Sequence, residues 1–190
     1  MSMTVIRRKD TATPRVFMHK GFDIPGGVSI KTSELGGDYI KEGCVLAAPV
    51  DGICNVVKVA VIAADVQPTE KTLNVEKFHN LNVGDFVMLN ENSIAVKVTK
   101  IEDASKEFDT LTISEALGAI PKGGAIAEAK EASSASQNKS ALKYKPFALV
   151  GTGKVFDKKT NIDTDAWTAG LTKGNPLPDC VAKHLNIANY

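Results

Sequence analysis

The feature that most constrains the fold is the apolar run from Glu42 to Asp65, EGCVLAAPVDGICNVVKVAVIAAD. Asp51-Gly52 is a turn signal near the middle of this run. The flanking residues 45–48 and 53–63 are predominantly apolar and do not alternate, which is typical of strands covered on both faces or buried in an oligomer contact. Residues 53–64 are also long enough for a helix, but their β-branched side chains favour a strand. We therefore predict that the run forms two strands of the main sheet.

The rest of the chain is organised around this run as a mainly β protein with an insertion. Residues 1–20 are polar, and we interpret them either as an arm that orders on a partner or as a frayed terminus. Residues 21–66 together with 141–190 are predicted to form a discontinuous β-rich host domain. Residues 67–132 are predicted to form an inserted small β module, and the Ser-rich residues 133–140 a linker.

The inserted module has the clearest strand pattern. Ser93–Ile101, SIAVKVTKI, alternates between apolar and polar residues over its whole length. Similar short patterns, separated by glycine turns, lie at Thr72–Glu76, Phe86–Leu89, Phe108–Ser114 and Ala125–Ala127. Five short strands at close spacing predict a small barrel or a curled sheet.

The C-terminal end of the host domain has a helix signal. PDCVAKHL begins with Pro178, carries Asp179 in its first turn, and places Val181 and Leu185 four residues apart. We therefore predict a short closing helix there.

Composition excludes several classes of function. The formal net charge of +1 provides no basic field for nucleic acid. The longest apolar run is far shorter than the roughly 20 residues that a membrane-spanning helix needs. The first residues, MSMTVIRRKDTATPR, lack the apolar centre of a signal peptide, so we expect synthesis in the cytoplasm and no association with a membrane.

The cysteines and histidines do not form a recognisable site in the sequence. The chain has three cysteines, an odd number without CxxC spacing, and we expect two or three buried thiols. The cysteines are Cys44, Cys54 and Cys180. The three histidines lie far apart in the sequence, whereas a catalytic or zinc site would need them gathered with carboxylates or thiolates. They are His19, His79 and His184.

Two further motifs contain residue types that can form catalytic or ligand-binding sites. Asp163 and Asp165 in NIDTDAW share a face if the segment is a strand, but we favour a solvated turn before a buried Trp167 over paired catalytic carboxylates or calcium ligands. Gly151 to Lys154, GTGK, lacks the spacing of a phosphate loop, and we interpret it as a hairpin turn. We expect no catalytic centre, no bound transition metal and no cofactor.

Two parts of the host domain carry a family resemblance. The first begins at Pro146 and runs PFALVGTGKVFDKKTNIDTDAWTAGLTKGNPLPDCVAKHL, with a Gly-x-Gly turn, the segment Asn161 to Trp167, Gly170 and a closing helix. The second is GGDYIKEGCVLAAPVDG in the N-terminal half. The pattern resembles the head fibre proteins of tailed bacteriophages and prophages, and is broadly similar to small capsid decoration proteins. It covers residues 27–66 and 146–190.

The resemblance implies a structural function. It predicts a head fibre or decoration protein on the outer surface of a phage capsid, with the phage major capsid protein as partner, and a homotrimer as the assembly. The continuous apolar run supports the trimer, because a sister subunit would cover its second face. The alternative is a carbohydrate- or protein-binding β module of a bacterial surface system. Phe78, Phe86 and Phe108 are the only aromatic residues of the module that could serve such a site.

Overall fold

The structure, a computed structural model, describes residues 15–103 and 105–190. It confirms a mainly β fold with several antiparallel sheets and a short C-terminal helix. The elements are β1 Phe17–Asp23, β2 Val28–Ile30, β3 Tyr39–Ile40, β4 Val45–Ala47, β5 Ile53–Cys54, β6 Val56–Val57, β7 Val59–Val61, β8 Thr72–Glu76, β9 Phe86–Met88, β10 Ala95–Glu102, β11 Phe108–Ile113, β12 Ala125–Ala129, β13 Pro146–Val150, β14 Lys154–Val155, β15 Ile162–Thr164, β16 Ala166–Thr172, α1 Asp179–Ala182 and β17 Asn186–Asn189.

The strands form two sheets of six and two smaller sheets. The first six-stranded sheet has the order β1-β16-β13-β4-β6, with β17 parallel to β16. The second has the order β7-β12-β9-β10-β11-β8. The smaller sheets have the orders β15-β2-β5 and β14-β3. None of the described helices is long and apolar enough to cross a membrane.

The second sheet curls so that its two end strands meet. Ile62, directly after β7, forms a bridge with Val75 of β8. The N–H of Ala63 also donates to the carbonyl oxygen of Asn74 at 2.8 Å. Within β10, Val96 and Val98 are buried and Lys97 is exposed, as the alternation predicts. The five strands predicted from the pattern of the module are β8 to β12 of the structure.

The prediction that the Glu42–Asp65 run forms two strands of one sheet was wrong. The run forms four short strands: β4 and β6 lie in the first sheet, β5 pairs with β2, and β7 lies in the second sheet. The predicted break is present, because Asp51 and Gly52 both have positive φ in a two-residue turn between Val50 and Ile53. The backbone therefore crosses from the first sheet to the second at Lys58, inside the segment assigned to the host domain.

Both faces of this run are covered within one chain. Leu46 and Val56 pack with Ile30 and Ala148 in the core of the host domain. Their neighbours Val45 and Val57 belong to a different cluster, which also contains Met88, Ala95, Ala127 and Ala129 of the second sheet. The inserted module therefore supplies the cover for which a sister subunit was expected, and the apolar run no longer supports a trimer.

The predicted arm and linker also differ from the expectation. Residues 1–14 of the arm lie outside the described residues, but Phe17 to Lys20 belong to β1 of the first sheet. The segment 133–140 has buried serines at both ends. Ser133 exchanges two backbone hydrogen bonds with Ala95, and the carbonyl oxygen of Ser140 accepts one from Asn92. This segment is therefore attached to the second sheet at both ends.

Candidate binding cleft at the junction of host domain and module

An open cleft of about 400 Å³ lies where the host domain meets the inserted module. One wall is the segment Gly36–Tyr39, which leads into β3. The opposite wall is the turn Lys77–Leu81 after β8, and Ile101, Asp103 and Asp109 of β10, β11 and their connection complete the lining. We call this the junction cleft.

The wall formed by Lys77–Leu81 has an unusual backbone. Phe78 and Asn80 have φ values of 65° and 58°, the left-handed region that L-residues other than glycine, asparagine and aspartate seldom adopt. His79, between them, accepts a hydrogen bond at Nδ1 from the N–H of Leu81 at 3.0 Å. The side-chain NH₂ of Asn80 donates to the carbonyl oxygen of Phe78 at 3.2 Å, while its Oδ1 is buried and has no hydrogen-bond partner among the described residues.

The two walls are fastened to one another. The N–H of Gly36 donates to the carbonyl oxygen of Asn80 at 2.8 Å, and the Asn82 side chain donates to the carbonyl oxygen of Glu34 at 2.7 Å. Gly36 is required here, because a Cβ at this position would lie 2.1 Å from the carbonyl oxygen of Leu81. The cleft is therefore a fixed feature of the junction.

Two aromatic rings stand at the cleft. The centroids of Tyr39 and Phe78 are 5.0 Å apart and the rings are tilted by 59°, within the favourable range for an aromatic pair. Phe78 is 40% exposed. Tyr39 comes from the host domain and Phe78 from the module, so the pair exists only because the two parts are packed together.

Charged side chains line the other part of the cleft. Lys77 Nζ lies 2.6 Å from Asp103 Oδ1 and 2.5 Å from Asp109 Oδ1. Although desolvation lowers the pKa of Lys77, the hydrogen bonds that its ammonium group donates to these two carboxylates raise it overall. The Asp103 side chain is largely exposed, whereas that of Asp109 is mostly buried.

His79 is neutral in this environment. Burial lowers its pKa, and the nearby Asp109 opposes that shift only in part. Since Nδ1 accepts the N–H of Leu81, the proton lies on Nε2, which is 3.3 Å from Asp109 Oδ2. Both ring nitrogens are therefore engaged in holding the turn and the carboxylate, and the ring has no free lone pair for proton transfer.

The other predicted candidates lie elsewhere. His19 is exposed on β1 and His184 follows α1, so the structure does not gather the histidines. Among residues 15–103 and 105–190 no group of three or more histidine, cysteine or acidic side chains is placed to hold a metal ion. The three cysteines are free and buried, as expected, and burial raises the pKa of each thiol.

Asp165 is engaged with Trp167 instead of acting as a paired carboxylate. Its Oδ2 accepts the indole N–H of Trp167 at 2.9 Å and lies 3.3 Å from Lys20 Nζ. Partial burial opposes ionisation, but hydrogen bonds from Trp167, Thr152 and Lys20 lower the pKa of Asp165 to about 2. Trp167 is partly buried against the cluster between the sheets.

The Gly151-Thr152-Gly153 segment is not the predicted hairpin turn. The strands on either side of it, β13 and β14, do not pair with each other: β13 pairs with β16 and β4, and β14 pairs with β3. A Cβ at Gly151 would lie 2.2 Å from Asp165 Oδ2 and 2.3 Å from Trp167 Nε1. The glycine thus leaves room for the Asp165–Trp167 contact.

A buried charge cluster joins the host domain to the module behind the cleft. Lys58 Nζ lies 2.6 Å from Asp85 Oδ2 and 3.3 Å from Glu128 Oε1. Lys143 Nζ lies 2.9 Å from the same Glu128 oxygen and 3.5 Å from Glu34 Oε2. Lys58 and Glu128 are each only 2% exposed. We interpret the cluster as structural, because its central pair is closed to a ligand.

Of the residues that line the junction cleft, only Phe78 and His79 stood out in the sequence as candidates for a site. Tyr39, Lys77, Asp103 and Asp109 stand in four different parts of the sequence without a shared motif. The one local signal for the turn that forms a wall of the cleft is the Phe-His-Asn sequence after β8. Asparagine is among the residues that tolerate the left-handed backbone conformation found there.

Known proteins give no family for this chain. Comparison with protein-family models, with curated proteins and with solved structures found no match.

Proposed function

We propose that this chain is a structural virion protein, a head fibre or decoration protein that binds the outer surface of a phage capsid. The observation that carries the proposal is the exposed outer edge of β1. This strand ends the first sheet, and in the part of the chain that the structure describes no strand pairs with its outer side. Met18 and Phe22, 55% and 74% exposed, stand on it. Exposed apolar side chains on an edge strand mark a contact surface.

The edge strand depends on residues that carry the family resemblance. β1 pairs with β16, whose residues Trp167 and Gly170 belong to the resembling segment. A Cβ at Gly170 would lie 2.7 Å from the carbonyl oxygen of His19, so glycine allows β1 to approach. The pairing has several register shifts, and we therefore expect a partner to contact β1 through side chains instead of a regular ladder.

Co-sedimentation tests the proposal. The chain is co-expressed with the major capsid protein encoded nearest to its own gene, and assembled particles are separated on a sucrose gradient. We expect the chain to sediment with the particles, and a Met18→Ser, Phe22→Ser variant to remain at the top. Val83→Ser is the matched control, because Val83 is exposed in the module away from β1. A wild-type chain that never sediments with assembled particles would overturn the proposal.

The homotrimer is proposed on the resemblance alone. Capsid surfaces offer three-fold positions, and a symmetric oligomer is the natural assembly there. Cryo-electron microscopy of the same particles shows whether three copies meet, and light scattering shows whether they also meet in solution. Single, separated copies on the capsid would contradict the trimer without contradicting capsid binding.

A further inference from the structure

We propose that the junction cleft binds a neutral oligosaccharide between the rings of Tyr39 and Phe78 and the carboxylates of Asp103 and Asp109. Its volume of about 400 Å³ falls within the range of small-ligand sites. The inference does not rest on capsid attachment, since every residue that it uses belongs to the cleft. The reasons are the fixed ring, the arrangement of polar groups and the charge.

The ring of Phe78 is held in place for contact with a ligand. A bulky apolar residue with φ of 65° is an outlier, and such a conformation persists only where the surroundings enforce it. Here the hydrogen bonds from Gly36 to Asn80 and from Leu81 to His79 hold the turn. A ring fixed before binding loses little entropy when an apolar sugar face packs on it.

The carboxylates complement that ring. An ionised carboxylate accepts up to about four hydrogen bonds, so Asp103 and Asp109 can bind hydroxyl groups while each still pairs with Lys77. Asp103 extends into solvent at the rim, with its side chain 85% exposed. Lys77 is within reach of both carboxylates and can donate to a ring or hydroxyl oxygen. One apolar face beside several donors and acceptors is the arrangement that a pyranose requires.

The charge of the cleft selects against acidic sugars. Asp38, Asp103 and Asp109 line it together with one lysine, Lys77, and His79 is neutral. The excess of carboxylates repels uronic acids and phosphate-bearing glycans. A protein partner is the other occupant that an aromatic surface can have, and the experiment below distinguishes it.

Binding is measured on the full chain with a panel of immobilised oligosaccharides, both neutral and acidic, and then by nuclear magnetic resonance with the neutral probes chitohexaose, cellohexaose and maltohexaose. We expect saturable binding to at least one neutral oligosaccharide and none to the acidic ones. The amide signals that shift should be those of Gly36–Tyr39 and Lys77–Leu81.

Phe78→Gly is the decisive variant. It removes the ring and relieves the left-handed strain, so the fold should persist, as circular dichroism checks. We expect affinity for the neutral probe to fall at least tenfold in Phe78→Gly and several-fold in Asp103→Asn. Phe147→Ala and Asp163→Asn are the matched controls, since both residues are exposed outside the cleft, and affinity should not change.

Three results would overturn the inference. The first is no saturable binding to any neutral oligosaccharide, the second a preference for acidic probes, and the third unchanged affinity in Phe78→Gly. In the first case, protection of the cleft amides from hydrogen exchange by co-expressed capsid protein would identify the cleft as a protein contact.

Discussion

Gly36 is the residue whose identity the structure constrains most closely. Because glycine has no side chain, the backbone at Glu34–Gly36 can lie against Asn80 and Asn82, at the end of the Lys77–Leu81 turn. These contacts fix the junction cleft. A methyl group there would meet a backbone oxygen instead of a flexible side chain, so the clash cannot be relieved by a rotamer change.

We therefore expect Gly36→Ala to lower the free energy of unfolding by about 3 kcal/mol or more, measured by urea denaturation. Gly37→Ala is the neighbouring control. Its φ of 69° disfavours alanine, but a Cβ there meets nothing within 4 Å, so the loss should be about 1 kcal/mol. Equal losses in the two variants would show that the two walls are not in contact.

At the scale of elements, the buried charges at the β6–β7 crossing position the two sheets. Lys58 faces Asp85 of the module and Glu128 of β12, and Glu128 in turn faces Lys143 of the returning chain. Burial raises the pKa of Glu128, which its lysine neighbours only partly offset. The ionised form of this carboxylate therefore depends on its partners remaining in place.

Lys58→Met should destabilise the protein by about 3–5 kcal/mol, because it removes the cation shared by the buried Glu128 and the partly buried Asp85. Lys100→Met serves as control, since the Lys100–Glu102 pair is exposed and should contribute no more than about 1 kcal/mol. Urea denaturation measures both variants. Similar midpoints for the two would mean that the Lys58 cluster contributes little net stability.

The elements also show what the sequence could predict. β8 to β12 were found because one face of strands such as β10 is exposed, which produces alternation at Val96, Lys97 and Val98. The run through β4 to β7 was divided wrongly because it is buried on both faces. A continuously apolar pattern contains no information about which sheet covers which residue. The cleft was not predictable, because Tyr39 and Phe78 meet only through the packing of the host domain on the module.

At the scale of the whole molecule, acid should weaken the fold through two carboxyl groups. Hydrogen bonding from Lys31 is the largest cause that lowers the pKa of Glu34, from its ordinary 4.5 to about 2, and Asp165 is lowered from 3.8 to about 2. Their stabilising contribution is complete above about pH 5 and is lost as pH falls towards 2. Glu128 contributes a pH dependence of the opposite sign. Its pKa is raised in the folded protein, so its contribution to stability increases as pH falls.

The urea midpoint should therefore decrease between about pH 5 and pH 2, and less steeply in Glu34→Gln than in the wild type. Glu115→Gln, an exposed glutamate, is the control and should follow the wild-type slope. Parallel slopes for Glu34→Gln and wild type would show that the Glu34 contacts do not contribute to the pH dependence.

The segment of the chain that forms the second sheet begins and ends at neighbouring positions in the fold. The N–H of Glu128 donates to the carbonyl oxygen of Lys58 at 2.9 Å, and Ala129 forms a bridge with Leu142. A different segment can replace this one without displacing the host domain, because its two junctions are neighbours in space. The shared cluster of Val57, Met88 and Ala127 restricts which replacements would succeed. A foreign segment would have to bring a matching apolar face, so diversification should be concentrated at the rim of the module and spare the side that meets the host domain.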